Sequence, residues 1–321
     1  MREFHSFLAS EMRSFVSFQT ASERWNYTYD AYLSYFDKHC MQMFPEEIIL
    51  TQKMVDSWCA QRPTESSNTC RVRVYAISNF VNYLRMRDAT TVFPPNIPKQ
   101  VRSTYIPHAF TESELERFFQ SSNNLPISKP NSLAERTRKI VAPVFFRLLY
   151  SSGIRTYEAR MLKLSDVDLI QGVINVNTAK GDNPYRVALH DTMTELLRKY
   201  DHVIRVLYPD RVYFFPSPRG SFFSKEWVTN NFRLIWDMAN TTNAVAYALR
   251  HNYAVENINQ WVGDGFEFFA KLVYLSKSMG HLALESTKGY FRLVPAMSNI
   301  LQELTGNGLD DIIPEAPYEE S

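Results

Sequence analysis

Four prolines, Pro94, Pro95, Pro98 and Pro107, fall in one short stretch and divide this chain in two. Proline removes a backbone donor and fixes φ, so neither a helix nor a central strand runs through such a segment. It also biases the preceding residue to extended backbone. The stretch carries Lys99 and Arg102 as well, and reads as a linker over residues 95–107. It separates a first domain, 1–94, from a second, 108–309, with an acidic tail over 310–321. At 45% hydrophobic and 14% aromatic, a chain of 321 residues has material for two packed cores.

The two parts differ in pattern. Residues 11–87 read as helices, with Phe15, Phe18, Trp25, Tyr29, Leu33 and Phe36 recurring at three- and four-residue steps. A short helix is expected over 51–59. A third follows the N-cap candidates Ser66, Ser67, Asn68 and Thr69 and turns Val72, Tyr75, Ala76, Phe80 and Leu84 inward. After the linker, Thr111 and Glu114 form a capping box that restarts helical structure. An apolar helix is expected over 140–150, with Pro143 a possible kink. Residues 173–177 and 185–189 alternate as strands around a turn-rich segment, a hairpin with Lys180 near its tip. Helices resume over 192–200, 225–240, 247–261, 266–276 and 297–304. The expected fold is mainly α and two-domain, with a small antiparallel sheet in a mostly helical second domain.

Charge announces little, because 35 basic and 34 acidic residues nearly cancel. A nucleic-acid face must come from local clustering. Cys40, Cys59 and Cys70 form no CxxC pair, so neither a zinc site nor a disulfide framework is expected. No clustered carboxylates point to a catalytic metal, and no GxxxxGK[ST] loop points to a nucleotide. No metal and no cofactor is expected. The first residues lack an apolar h-region, and no run nears the roughly 18 apolar residues of a spanning helix. A cytoplasmic protein with no membrane partner is expected.

What remains is an ordered set of chemistry-bearing residues. Gly153-Ile154-Arg155-Thr156-Tyr157-Glu158 comes first, then Lys180, Leu249-Arg250-His251, Met279-Gly280-His281 and Tyr290. A phosphodiester resists attack because its oxygens are anionic, its leaving alkoxide is poor and its attacker must lose a proton. Without metal, arginines must hold the non-bridging oxygens. An acid must protonate the departing oxygen, and a tyrosine, at a pKa of about 10, needs help to become a nucleophile. Arg155 and Arg250 suit the first task. Lys180, on a hairpin that can reach into a groove, suits the second, and His281 can donate to a phosphate oxygen or the leaving group.

These motifs, and the interval from Gly280-His281 to Tyr290, resemble the tyrosine recombinase (phage integrase, Xer-like) family. The resemblance spans the second domain; in the first, only texture and length are similar to the family's core-binding domain. It implies the DNA breaking-rejoining fold and a site-specific recombinase or integrase acting without metal or ATP. Tyr290 would attack the scissile phosphate, forming a 3′-phosphotyrosyl link. Arg155, Arg250 and His281 would stabilise the transition state, Lys180 would protonate the 5′-oxygen, and Glu158 would hold the site's architecture. Partners would be double-stranded DNA recombination sites, with the cytoplasmic protein nucleoid-associated when bound to them. A homotetramer would assemble in the synapse from a protein that is a monomer or weak oligomer when free, with an accessory DNA-bending or directionality factor possible.

Two departures from the family pattern stand out. Tyr247 occupies the place of the histidine usual three residues before the second arginine. It leaves the base for Tyr290 open, with His251 either an active-site residue or a buttress of the fold. The interval between Arg250 and His281 is also longer than in compact members, and includes residues 261–265, which look like an inserted loop. Such extensions resemble integrases of mobile elements. For DNA contact, Ser67, Asn68, Thr69, Arg71 and Arg73 suit a helix entering the major groove. Lys99, Arg102, Arg136, Arg138 and Lys139 are further phosphate candidates. Met297, Ile300, Leu301 and Leu304 make an apolar stripe that, in the family, docks on the next protomer. Alternatives are a telomere resolvase or type IB topoisomerase-like enzyme, and a regulator that has lost catalysis.

Overall fold

A computed structural model describes residues 3–23, 27–101, 107–177, 184–261 and 266–290. The chain falls into two compact units, Met1–Tyr105 and Ile106–Ser321.

The first unit carries helices α1 (Ala9–Ala21), α2 (Tyr27–Met43), α3 (Gln52–Cys59) and α4 (Ser67–Arg85). Its core joins Met12, Phe15, Val16, Leu33, Phe36, Trp58, Ile77, Phe80 and Val81. Each large side chain removed from water contributes roughly 1.5–3 kcal/mol. The hydroxyl of Ser66 caps α4, accepting from the Thr69 amide at 3.1 Å. The buried face of α4 runs through Cys70, Arg73, Val74, Ile77, Phe80, Val81 and Leu84. Ala76, Phe80 and Leu84 point inward as expected, but Val72 and Tyr75 do not, being 38% and 39% exposed. They lie off the face that follows the three- and four-residue steps from Cys70.

Arg73 is the larger correction. It is 1% exposed and donates to Glu65, to the carbonyls of Trp58 and Ala60, and to the Cys70 sulfur. A guanidinium so fully used is part of the core, so Arg73 is withdrawn from the phosphate candidates. The proline-rich chain runs extended beside α4. Asn68 grips the Val101 backbone through both amide atoms, at 2.7 and 2.9 Å, and Arg71 donates to the Pro98 carbonyl at 2.6 Å. Ser67 is half-buried, and Thr69 and Lys99 are exposed.

The second unit begins with α5 (Glu112–Asn123), α6 (Leu133–Ser152) and α7 (Thr156–Met161). A three-stranded antiparallel sheet follows, β1 (Val167–Asp168), β2 (Val173–Val176) and β3 (Tyr185–Ala188), in that spatial order. Then come α8 (Asp191–Leu207), α9 (Lys225–Asp237), α10 (Ala248–Trp261), α11 (Phe266–Ser278) and the single turn α12 (Glu285–Lys288). In the hairpin Ile174 pairs with Val187 and Val176 with Tyr185. Ile174, Val176 and Val187 are buried, so a slip of one residue would turn the apolar set outward. Pro143 lies inside α6 without ending it. Phe118, Phe145, Phe146, Phe214, Phe215, Phe232 and Trp236 fill the main core. A smaller cluster joins Ala254, Ile258, Leu272, Leu275, Met279 and Tyr290. The expected helix over 297–304, its apolar stripe and the acidic tail lie outside the described residues.

The capping box of α5 does more than start a helix. The Thr111 hydroxyl accepts from the Glu114 amide at 3.2 Å, and the Glu114 carboxylate accepts from the Thr111 amide at 2.9 Å. The same carboxylate receives the Thr242 hydroxyl at 2.7 Å and pairs with His108 at 3.1 Å. Burial pushes this carboxyl up, but the bonds from Thr111, Thr242 and His108 outweigh it and hold it at about 2. Because the folded value lies below the unfolded one, the stabilisation is present above about pH 4.5 and is lost as pH falls through about 2. We expect Glu114→Gln to lose about 3 kcal/mol at neutral pH. Denaturant titrations should show the gap from the wild type closing below about pH 4.5. A gap that persists at low pH would place the contribution in packing instead.

Candidate active site

The site is assembled from two glycine turns and the start of α10. Gly153 ends α6 with φ +63°, and a Cβ there would collide with the edge of the Tyr253 ring. Gly280 has φ +64°, and a Cβ there would collide with the Tyr185 ring. Both turns need left-handed backbone and a close approach that only glycine allows.

Arg155 is the N-cap residue of α7, and Glu158 reaches back to its amide at 3.0 Å. The other Glu158 oxygen accepts from Arg155 Nη1 at 2.7 Å, while Arg155 Nη2 donates to the Gly280 carbonyl at 2.8 Å. Glu158 is fully buried, and the Tyr185 hydroxyl donates to it at 2.5 Å. Tyr185, paired with Val176 at the turn end of the β2 and β3 strands, thus ties the hairpin to the carboxylate that aims Arg155. Its ring also floors the Gly280 turn. Sequence reasoning missed this residue. Its one signal is a bulky phenol on the inward side of β3, five residues after Lys180.

Arg250 is 2% exposed. It donates to the Gly153 carbonyl, to the Met279 carbonyl at 2.7 Å and to His281 Nε2 at 2.9 Å. The two arginines therefore cross-stitch the turns: Arg155 holds the second, and Arg250 holds both. Charge-assisted bonds of this kind each contribute roughly 1.5–3 kcal/mol. The Arg250 Nε–H is buried with no partner. An orphaned donor on a buried cation is costly unless an anion completes it.

His281 has both ring nitrogens engaged. Guanidinium only donates, so Nε2 is the acceptor and Nδ1 carries the proton, given to Thr287 Oγ1 at 2.7 Å. Burial first, then Arg250 and Arg155, lower this imidazole to about 4, so it is neutral at pH 7. In this arrangement His281 accepts toward Arg250 and does not donate toward a ligand.

Tyr290 is 7% exposed, packed in the smaller cluster. Its ring stacks on His281, with centroids 6.1 Å apart and planes 19° from parallel. Burial raises its phenol, Tyr247 adds to this, and Arg250 and Arg155 oppose it. The phenol is protonated at neutral pH. The His251 ring lies 5.4 Å from that of Tyr290 and 5.0 Å from that of Tyr247, which is half-exposed at the start of α10. His251 Nδ1 is buried without a partner.

The structure thus brings together Arg155, Glu158, Arg250, His281, Tyr290, Tyr247 and His251, from segments over a hundred residues apart. Lys180 and Arg102 lie outside the described residues. Among the other phosphate candidates, Arg136 and Lys139 are exposed, and Arg138 donates to the Pro126 carbonyl at 3.0 Å. The site pairs two oriented cations with a protonated, largely dry phenol.

The phage integrase family model matches residues 108–296, more than half of the 321. The tyrosine recombinase XerC of Lactobacillus leichmannii is 26% identical over 232 residues, covering 70% of this chain and 72% of that protein. In fold, the chain is similar to the XerH site-specific recombinase bound to palindromic difH substrate in a post-cleavage complex. The TM-score is 0.60 and identity 19%, with 87% of this chain and 78% of the other covered. A lambda integrase dimer bound to a COC′ core site gives a TM-score of 0.58 at 14% identity, covering 88% and 76%. A family model that spans most of the second unit, over a mainly helical fold with one small antiparallel sheet, shows that this chain belongs to the phage integrase family of tyrosine recombinases.

Proposed function

We propose that this site-specific DNA recombinase cleaves and rejoins DNA at the Arg155–Arg250–Tyr290 cluster, through a 3′-phosphotyrosyl link to Tyr290. The observation that carries this reading is the buried, partnerless Nε–H of Arg250 in the cluster that holds the Tyr290 phenol. A scissile phosphate would complete that donor, and Arg155 would take a second oxygen. Charge builds on those oxygens during attack, so both contacts strengthen in the transition state. His281 orients Arg250 through Nε2, and Glu158 orients Arg155. Lys180, from the hairpin, supplies the proton to the departing 5′-oxygen. The link conserves the phosphodiester's energy, so rejoining needs no ATP.

In this reading the first unit is a DNA-clamping domain and the exposed Lys99 contacts phosphate. The working assembly is a homotetramer on two duplexes, acting for a mobile element, with an accessory DNA-bending or directionality factor possible. The test is a suicide substrate whose nick releases the 5′ end after cleavage. Incubation in EDTA should trap a protein–DNA adduct, and peptide mapping should place the DNA on Tyr290. An adduct on another residue, or none on a cognate site, overturns the reading.

Tyr185→Phe probes the support of Arg155. The ring stays under Gly280, while Glu158 loses one of its donors. Single-turnover cleavage should fall about tenfold, equivalent to about 1.4 kcal/mol, with DNA affinity unchanged. An unchanged rate would mean that Glu158 holds Arg155 without the phenol.

A further inference from the structure

We infer that His251 is the proton acceptor for Tyr290, taking the phenol proton on Nδ1 as the phenolic oxygen attacks phosphorus. This rests on the reading of Tyr290 as nucleophile and adds the step that reading leaves open. A phenol raised by burial is not ionised at neutral pH, so a lone pair must receive its proton during attack.

The neighbours of Tyr290 narrow the choice. His281 stacks on the ring, but its Nε2 accepts from Arg250 and its Nδ1 bonds Thr287. The Glu158 carboxylate is fully buried and held by the Arg155 amide, the Arg155 guanidinium and the Tyr185 hydroxyl. Tyr247 is itself a phenol, whose oxygen is a far weaker base than an imidazole nitrogen. His251 is different. Its ring sits 5.4 Å from the Tyr290 ring, centroid to centroid, and its Nδ1 is a buried nitrogen with no partner. A buried nitrogen without a partner is costly, and here the ring that carries it packs against the ring of the phenol that must lose a proton. Tyr247 also packs against the imidazole, edge to face at 5.0 Å and 80°, and restricts its rotation. The phenol at position 247 thus positions the base rather than acting as one.

The charged and titratable groups around His251 are Arg250 and Tyr247 on its own segment and Tyr290 against its ring, and Tyr290 in turn meets His281 and the charge of Arg155. Burial and then Arg250 hold the imidazole below its ordinary range, so it is neutral and able to accept at pH 7. The step balances. The Tyr290 Oη–P bond forms as the P–O5′ bond breaks, the phenol proton moves to His251 Nδ1, and Lys180 gives a proton to the 5′-oxygen. In rejoining, the flow reverses and the imidazolium returns its proton to the departing phenolate.

The test is single-turnover cleavage by His251→Gln on a suicide substrate across pH, with DNA affinity measured alongside. Cleavage should fall about 100-fold or more while affinity stays within about twofold. The wild-type rate should decline as pH drops through a value below about 6.5, and the variant should lack that limb. A substrate with a 5′-bridging sulfur needs no proton on its leaving group. It should not restore the variant, because the missing function is the base. A rate within about threefold of wild type, a retained acid limb, or rescue by the sulfur substrate overturns the assignment. If the variant loses DNA binding, the wild-type profile decides, and a rate that stays flat on the acid side down to the pH at which the protein unfolds sinks the proposal. Mapping the wild-type adduct keeps the two ideas apart. DNA on a residue other than Tyr290 removes the nucleophile reading, whereas DNA on Tyr290 with an unaffected His251→Gln removes only the base.

Discussion

A Tyr290→Phe protein is expected to bind its recombination site as the wild type does and to leave no covalent adduct. The substitution removes one oxygen and keeps the ring that packs among Ala254, Ile258, Leu272, Leu275 and Met279. The packing of the smaller cluster and the stack on His281 therefore survive, and the fold should melt near the wild-type temperature. What is lost is the nucleophile. Removal of an attacking side chain elsewhere costs on the order of 10⁶-fold in rate. Adduct on a suicide substrate should accordingly drop below detection in a denaturing gel, with the gel-shift affinity intact. Persistent adduct would mean that another hydroxyl attacks and that Tyr290 is a core residue.

Arg250→Lys should have the next largest effect, although it keeps the charge. A planar guanidinium reaches the Gly153 carbonyl, the Met279 carbonyl and His281 Nε2 at once and still holds an Nε–H in reserve. An ammonium is a point donor and cannot span three acceptors in different segments. Two losses follow. The phosphate loses the Nε–H donor, and cleavage should slow by roughly 10³–10⁵-fold, the range for arginines that meet phosphoryl charge. The two glycine turns also lose a shared strut, and the second unit should be destabilised by about 2–3 kcal/mol. Single-turnover cleavage and denaturant titration read these separately. A stability loss with cleavage within about tenfold would leave Arg250 a structural residue only.

The pH behaviour follows from the same crowding. His281 is held near 4 by burial and by both arginines, so it contributes no charge change between pH 5 and 8. His251 is lowered too, by burial and Arg250, and its Nδ1 is free. A titration on the acid side of the cleavage profile therefore points to His251 and not to His281.

Much of the fold was legible because it is local. The Thr111–Glu114 box, the Ser66 cap and the alternation of residues 173–176 and 185–188 are set by neighbours a few residues away. Where long-range packing decides, legibility failed. Helix α8 runs to Leu207, past the expected 200, because Ile204 is buried in the main core. The two-residue β1 exists only by pairing Val167 with Ile174. Val72 and Tyr75 looked like core positions, but the packed face of α4 passes beside them. Arg73 looked like a DNA contact because a charge near a helix start is usually solvated. The acceptors that bury it come from Trp58, Ala60 and Glu65, and only folding brings them together.

The candidate site divides along the same line. Sequence alone determined which reactive groups exist and in what order: two arginines, the late histidine and the tyrosine, with glycines ahead of Arg155 and His281. Those are properties of residue type and spacing, and they suffice to place the chain in its family. Only the tertiary structure decided what each group is free to do. It occupied both nitrogens of His281, left Nδ1 of His251 and Nε of Arg250 open, and tied Tyr185 to Glu158. The reason is physical. A side chain's available lone pairs, donors and charge depend on which partners reach it and how much water remains, and here those partners lie up to 125 residues away.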